Sequence, residues 1–484
     1  MVNCKVKRRN FNDRKLLFSG RLGIRHLQVL LLFLGMIIGY CLRVSMSEAV
    51  VAMSNSSSAN PAFQDFGWDQ RERSQILSSF FWGYTVTQIP SGYLASIWSA
   101  QRLLSMGMLL CGVFNLLTPV AAEYGNLIAV CACRVGMGLT QGCLLPCVHT
   151  LLSKWAPPSE RARLGTFAYA GAQLGTVIAF PISGLLAASN IGWPSIFYMF
   201  GILAIIWGVA FFIFGADSPS THPRITDSER HYIEDSLRVA EGATKEKLKT
   251  PWKLIFTSVP MWALIIAHCG QNWGYWTLLT EMPSYMEAVL EFDIKKNGAV
   301  SALPYLMMWI LSFPASWLSD YALKKGISRG LARKVSNTIA HWGPAVALVF
   351  LGTMPSHNPM VPVAILVVAV GLNAGSLCGF QINHIDLSPN FAGTMMSITN
   401  CIASVVAIVA PLICGEIVTE QENEFQWSIV FYIAAGIYFL GNLVFIIFGK
   451  AEVQWWNDPE SVKDHKENQP NRQILNFYKN LATQ

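Results

Sequence analysis

Two arginines stand inside long apolar runs of this 484-residue chain, and their chemistry sets the functional question. Arg43 lies in GYCLRVSMSEAVVAM (39–53) and Arg134 in ACRVGMGLTQGCLLPCVHT (132–150). A guanidinium is permanently charged, and its fork of donors fits a carboxylate or a phosphate. Placing one at mid-membrane costs about 2.5–3.5 kcal/mol on insertion scales, so an arginine kept there faces water or a partner, not lipid. At helical pitch Arg134, Gly138, Gln141, Leu145 and His149 share one stripe, and Gly39, Tyr40, Arg43 and Ser47 share another. These stripes are expected to face a water-filled cavity that attracts an anion. The bland alternative is that each guanidinium pairs with a carbonyl or carboxylate and only ties helices together.

Further polar residues recur along the apolar runs. Glu48 is about 140° round the helix from Arg43, a poor intrahelical partner. It must find another partner, keep a proton and serve coupling, or sit at the water boundary. His149 is either a titrating gate or a packing histidine, and His268 reads as packing. The stretch HCGQNWGYWTLLTEMPSYM (268–286) offers Gln271, Asn272 and Trp276 as candidate substrate contacts, with Tyr275 and Thr280 beside them. Tyr84 and Gln88 of FFWGYTVTQ (80–88) are expected to point inward. Asn400, with Ser397 and Thr399, either lines a cavity or bonds across helices. The sequon Asn55-Ser56-Ser57 is a candidate glycosylation site.

The elements that must position these residues are membrane spans. Only 13% of residues are charged and 52% are hydrophobic, where soluble domains carry about 25% charge. Apolar stretches of spanning length recur near 27–52, 74–97, 102–121, 127–151, 162–186, 192–215, 257–282, 297–319, 336–354, 360–382, 391–417 and 425–449. Lysine and arginine concentrate in the N-terminal tail, in KWAPPSERAR (154–163), in 216–256, in 320–335 and in the C-terminal tail. The segment EIVTEQENEF (416–425) holds none. The positive-inside rule then places both ends in the cytoplasm, with an even number of spans. Within 216–256, DSERHYIEDSLRVAEGA (227–243) reads as a surface helix capped by Thr226 or Asp227. The net charge of +6 therefore signals cytoplasmic loops, not nucleic-acid binding. A seven-span receptor conflicts with the count. No H-E-x-x-H, G-x-S-x-G or nucleotide-binding loop supports an enzyme, and no cofactor is called for.

Several segments together resemble the anion/cation symporter family of the major facilitator superfamily: WAPPSERARL (155–164) followed by AGAQLGTVIAFPISG (170–184), FFWGYTVTQIPSGYLA (80–95), NWGYWTLLTEMPSYM (272–286), NHIDLSPNFAGTMMSITN (383–400) and AEVQWWN (451–457). The resemblance implies an all-α membrane protein with about twelve transmembrane helices in two six-helix bundles. These would be 27–215 and 257–449, joined by a cytoplasmic linker at 216–256 and flanked by cytoplasmic tails at 1–26 and 450–484. It implies secondary transport by alternating access, with Arg43 and Arg134 serving an anion and a family histidine at His149. Glu48 stands where the family usually has an apolar residue. Gln141 stands where sialin-like and glutamate-transporting members have a glutamate of the proton route. An amide cannot take up a proton, so the resemblance points to sodium coupling, with Gln141 as one oxygen ligand, or to a facilitated route. Gln271 and Leu77 replace an arginine and a histidine of glutamate transporters, which disfavours glutamate. Asp320 keeps the aspartate of a short cytoplasmic gating loop, while the first-half counterpart is Ser96. The implied function is sodium-coupled carriage of inorganic phosphate or a small organic anion, in the plasma membrane or an endolysosomal or vesicular membrane. The alternative is a proton-coupled organic anion exporter of a lysosomal or vesicular membrane.

Overall fold

A bilayer offers backbone groups no partners outside the chain, so apolar runs of this length fold as helices. The computed structural model describes residues 23–56, 59–157, 160–241, 250–353 and 358–457, and the helices follow the runs closely. The first half holds α1 (Ile24–Ser54), α2 (Gln70–Ile97), α3 (Ala100–Gln141), α4 (Leu144–Trp155), α5 (Arg161–Ala187) and α6 (Pro194–Phe214). The linker carries α7 (Asp227–Glu241) and α8 (Trp252–Phe256). The second half holds α9 (Val259–Ala288), α10 (Ile294–Lys324), α11 (Arg329–Thr353), α12 (Met360–Leu372), α13 (Phe380–Leu387), α14 (Ala392–Ile417) and α15 (Glu424–Phe448).

Helix α3 has 42 residues, about twice what a bilayer needs. It is two passages that meet at Asn126, where the backbone leaves helical conformation (φ 48°, ψ −144°). Helix α4 continues the second passage after a break at Gly142 and Cys143, and α13 continues α12 through a 3-10 turn at Asn373–Leu377. Twelve passages result among the described residues, six on each side of the linker. The start of α1 and the end of α15 therefore lie on one face, with the linker. This is the linker face; the other is the opposite face.

Between the halves, α5 packs on α10 and α2 packs on α14. In passage order these are the fifth on the eighth and the second on the eleventh. A shift of six passages exchanges the two contacts, as a structural repeat requires. Small residues let the backbones close. A Cβ on Gly138 of α3 would stand 1.9 Å from the Phe80 carbonyl oxygen of α2. At the α5–α10 seam, a Cβ on Gly184 would stand 2.5 Å from the Ile294 carbonyl oxygen.

The linker helix is not a free surface helix. Thr226 Oγ1 accepts from the Glu229 amide at its start, at 3.4 Å. Glu229 then reaches the first half, taking the Ile24 and Arg25 amides at 3.0 and 3.2 Å and the Arg25 guanidinium at 3.0 Å. Glu160 closes on the same guanidinium at 2.9 Å, and Arg25 is fully buried. Tyr232 and Ile233 pack with Trp155 beneath. Trp155 also meets the ring of His222, and burial there holds that imidazole below its usual range. The carboxylate of Glu229 thus satisfies the exposed amides at the start of α1, where the helix dipole favours negative charge.

Candidate anion site between the two halves

The tight crossing at Gly138 brings α3 flush against α2 and holds Arg134 beside Arg43 of α1. Arg43 is 4% exposed and Arg134 is 2% exposed. Gln141 anchors the first: its Oε1 accepts from Arg43 Nε at 3.1 Å and Nη2 at 2.9 Å, while its Nε2 donates to the Gly39 carbonyl at 2.8 Å. Four rings surround the Arg43 guanidinium, Tyr40, Phe80, Tyr84 and Trp276, at 4.9, 4.9, 4.6 and 5.6 Å. Arg134 lies 5.0 Å from the Phe80 ring and donates from Nη2 to the Arg43 carbonyl at 3.4 Å. Its Nε is buried without a hydrogen-bond partner. Among the described residues no carboxylate pairs with either arginine. Cation–π contact is worth about 2 kcal/mol when desolvated, which holds a guanidinium in place without neutralising it. The result is two adjacent positive charges with donors to offer.

Two expectations change. The stripe was expected to face an open, water-filled cavity. Instead the arginines are enclosed, and Trp276, which meets Phe81 edge-on at 4.7 Å, closes over Arg43 from the second half. Gln141 was expected as a possible sodium ligand. Its oxygen is turned to Arg43, and a cation there would meet a guanidinium already in place. The helix break at Gly142 also bends the stripe, so its lower end, His149, is exposed and contacts the Tyr169 hydroxyl at 3.3 Å.

The remaining candidates are scattered. Gln271 donates to Asn373 Oδ1 at 2.8 Å, which also accepts from the Tyr438 hydroxyl at 3.2 Å, so it ties α9 to the second-half core. Asn272 and Asn400 are half-buried. Gln88 accepts from Ser404 across the halves at 3.5 Å. His268 and His384 both bond the Thr399 hydroxyl, at 3.1 and 2.8 Å, inside the second half. Glu48 is not at the water boundary: it is fully buried, and neither carboxyl oxygen has a partner. Asn55 caps the end of α1 and donates its amide to Glu287, a contact that a glycan on the same nitrogen would displace. Ser57 of that sequon and the side chains of Ser96 and Asp320 lie outside the described residues.

One constellation was not read from the sequence. At the opposite face the first turns of α2 grip the second half. Glu281 accepts from Gln70 Nε2 at 2.5 Å and from Ser74 Oγ at 3.1 Å. Arg73 pairs with Glu287 at 3.4 Å and Arg71 with Glu416 at 2.7 Å. All the donors come from the first half and all the carboxylates from the second. The signal was the basic run QRER (70–73) against the acidic ends of α9 and α14, but 211 residues separate Gln70 from Glu281. Above these contacts opens a cleft of about 920 Å³, lined by Asp69, Glu287, Glu291, Asp293, Glu422 and Glu424 with Arg73.

Comparison with known proteins agrees with this architecture. The Major Facilitator Superfamily profile matches residues 29–411. A Drosophila melanogaster protein named "Putative inorganic phosphate cotransporter" is 43% identical over 461 residues, covering 90% of this chain and 87% of the relative. Vesicular glutamate transporter 2 of Homo sapiens is 36% identical over 453 residues, covering 91% and 77%. Among solved structures, an inward-facing, occupied bacterial homologue of the human lysosomal transporter Spinster superposes with a TM-score of 0.67 at 14% identity, covering 89% of this chain and 99% of that one. A D-xylose–proton symporter gives 0.66 at 13% identity, covering 87% and 97%. At those identities the likeness concerns the fold alone. Sequence, passages and relatives agree: the chain is a multi-pass membrane transporter and belongs to the anion/cation symporter family of the Major Facilitator Superfamily.

Proposed function

We propose that this chain carries a small anion, inorganic phosphate or a small organic anion, by alternating access of its two halves. The observation that carries the reading is the Arg43–Arg134 pair, buried at the seam with no carboxylate partner among the described residues. Two like charges held together in a low dielectric are relieved when an anion settles between them, and guanidinium forks suit phosphate or carboxylate oxygens. The relative named for phosphate cotransport supports the substrate class. Binding would lift Trp276 from Arg43. Rocking would then break the α2–α9 contacts at the opposite face and open the site there. The distribution of basic loops assigns the linker face to the cytoplasm.

Uptake of labelled phosphate into proteoliposomes tests the proposal. Arg134→Ala should reduce uptake to the level of empty liposomes. Because that substitution strands no buried carboxylate, thermal stability should stay close to that of the parent. Parental uptake by a folded Arg134→Ala variant would remove the arginine pair from the mechanism.

A further inference from the structure

Glu48 is the ionisable group that the anion site does not use. It sits six residues before the end of α1 at Ser54, towards the opposite face. Its exposure is 0%, and Oε1 and Oε2 both lack hydrogen-bond partners. Helices α1 and α5 run in the same direction: the Phe33 carbonyl meets Gly171 and the Ile37 carbonyl meets Gly175. That register brings Glu48 level with the turn Ser183–Leu186 of α5. Ser183 Oγ is likewise buried and unpartnered, and Gly184 in the same turn touches Gly298 of the second half. The unpartnered carboxyl therefore lies beside the seam that must part when the opposite face opens.

The helices packed on α1 supply no counter-ion. Their buried or half-buried charged and phenolic groups towards the membrane interior are Arg73 and Tyr84 of α2, Arg134 of α3, Tyr169 of α5, Tyr275, Glu281, Tyr285 and Glu287 of α9, and Tyr305 of α10, with Tyr40 and Arg43 on α1 itself; Arg73 is paired with Glu287, and His149 of α4 and Tyr198 of α6 are exposed. None hydrogen-bonds or ion-pairs with Glu48. An ionised carboxylate left there would lose its hydration without replacement, at a cost of several kcal/mol. The neutral acid avoids that cost.

Resting on the anion-carrier reading, we propose that Glu48 is the proton-binding site of the transport cycle, so that the anion travels with a proton. With the opposite face open, water reaches Glu48 and its carboxylate takes a proton from hydronium, leaving water. Closure buries the neutral acid. While the anion neutralises Arg43 and Arg134, nothing draws the proton away. When the anion leaves at the linker face, the two guanidinium charges are bare again, Arg43 one and a half turns before Glu48 on α1, about 7.5 Å of helix rise, and Arg134 beside it on α3. Their field favours the carboxylate, and the proton passes to water that has entered from that side. Anion and proton thus each strengthen the binding of the other, as linkage requires.

The test uses the full chain in sodium-free proteoliposomes with labelled inorganic phosphate. Two arms are run: exchange at equal phosphate, and accumulation under an inside-alkaline gradient of about one pH unit, which supports at most about tenfold accumulation per coupled proton. Glu48→Gln fixes the neutral form. It should retain exchange and lose accumulation above the level set by phosphate's own ionisation. Accumulation by Glu48→Gln equal to the parent's, or a parent that exchanges phosphate but accumulates none above that level under the pH gradient, would overturn the proposal. Infrared spectroscopy gives an independent arm. The parent should show the carbonyl stretch of a protonated carboxyl at neutral pH, and Glu48→Gln should remove it while Glu281→Gln does not. If Glu48→Gln does not fold, Glu48→Asp should shift the band, and an unmoved band sinks the assignment. A parent that exchanges no phosphate but shows the Glu48 band would fail the phosphate-carrier reading and leave the protonated acid standing.

Discussion

At the scale of single residues, the site depends on how a charge is held without being cancelled. Gln141 does this for Arg43 through two hydrogen bonds of 3.1 and 2.9 Å. Bonds to a charged group are worth about 1.5–3 kcal/mol each. Gln141→Leu keeps the volume and removes the acceptor, which leaves the guanidinium on aromatic faces alone. The expected outcome is a fall of at least about tenfold in kcat/KM for phosphate uptake, one decade per 1.4 kcal/mol, with folding retained. Initial-rate uptake across a substrate series measures it, and an unchanged kcat/KM would show that Gln141 only fills space. The arginines themselves were legible, because a permanent charge in an apolar run has few reasons to be there. The partner of Gln141 was not. Its pairing with Arg43 depends on where α1 crosses α3, and no local pattern encodes a crossing. The rings of FFWGYTV were legible as a cluster, yet only Tyr84 stood out as facing inward. That Phe80 serves both guanidinium groups follows from packing.

At the scale of elements, length and apolarity fixed the spans well. Most helix ends follow the apolar runs to within a few residues, because a passage stops where the bilayer does, while α9, α10, α11 and α13 extend further into polar sequence at one end. Three helices, α2, α9 and α11, carry an internal proline and polar residues yet were still read as apolar stretches of spanning length, and the charge pattern supported the count. The docking of α7 was not legible, since Arg25 and Glu229 are 204 residues apart in the chain. The crossing that positions Arg134 gives the prediction at this scale. Gly138→Ala adds one methyl group where the Phe80 carbonyl oxygen would be 1.9 Å away. Overpacking of this kind costs about 1–3 kcal/mol. The variant should show a lower Tm and weaker phosphate uptake together, because α2 and α3 must move apart and carry Phe80 away from the arginines. Thermal unfolding followed alongside uptake separates this from a purely local effect; an unchanged Tm would mean that the helices yield freely.

At the scale of the whole molecule, the two-fold exchange of seams explains why a few contacts can switch access. The opposite face is shut by side chains of α2 against carboxylates of α9 and α14, and one of these, Glu287, also lines the cleft above with further acidic side chains. An approaching anion meets six acidic groups and one arginine before it reaches the guanidinium pair. Such a mouth lowers the encounter rate for negative solutes within a Debye length of about 10 Å at 0.1 M salt. Detailed balance leaves the final distribution untouched and slows capture and discharge at that mouth by the same factor, so the effect must appear as a kinetic brake on the acidic side. In vesicles of known orientation, added inert salt should lower the apparent KM for phosphate offered at the acidic mouth and change it far less at the linker face. Equal responses at both faces would mean that the mouth exerts no such bias. A carrier built this way would be throttled at one doorway, its pace there written in its vestibule and not in its binding pocket.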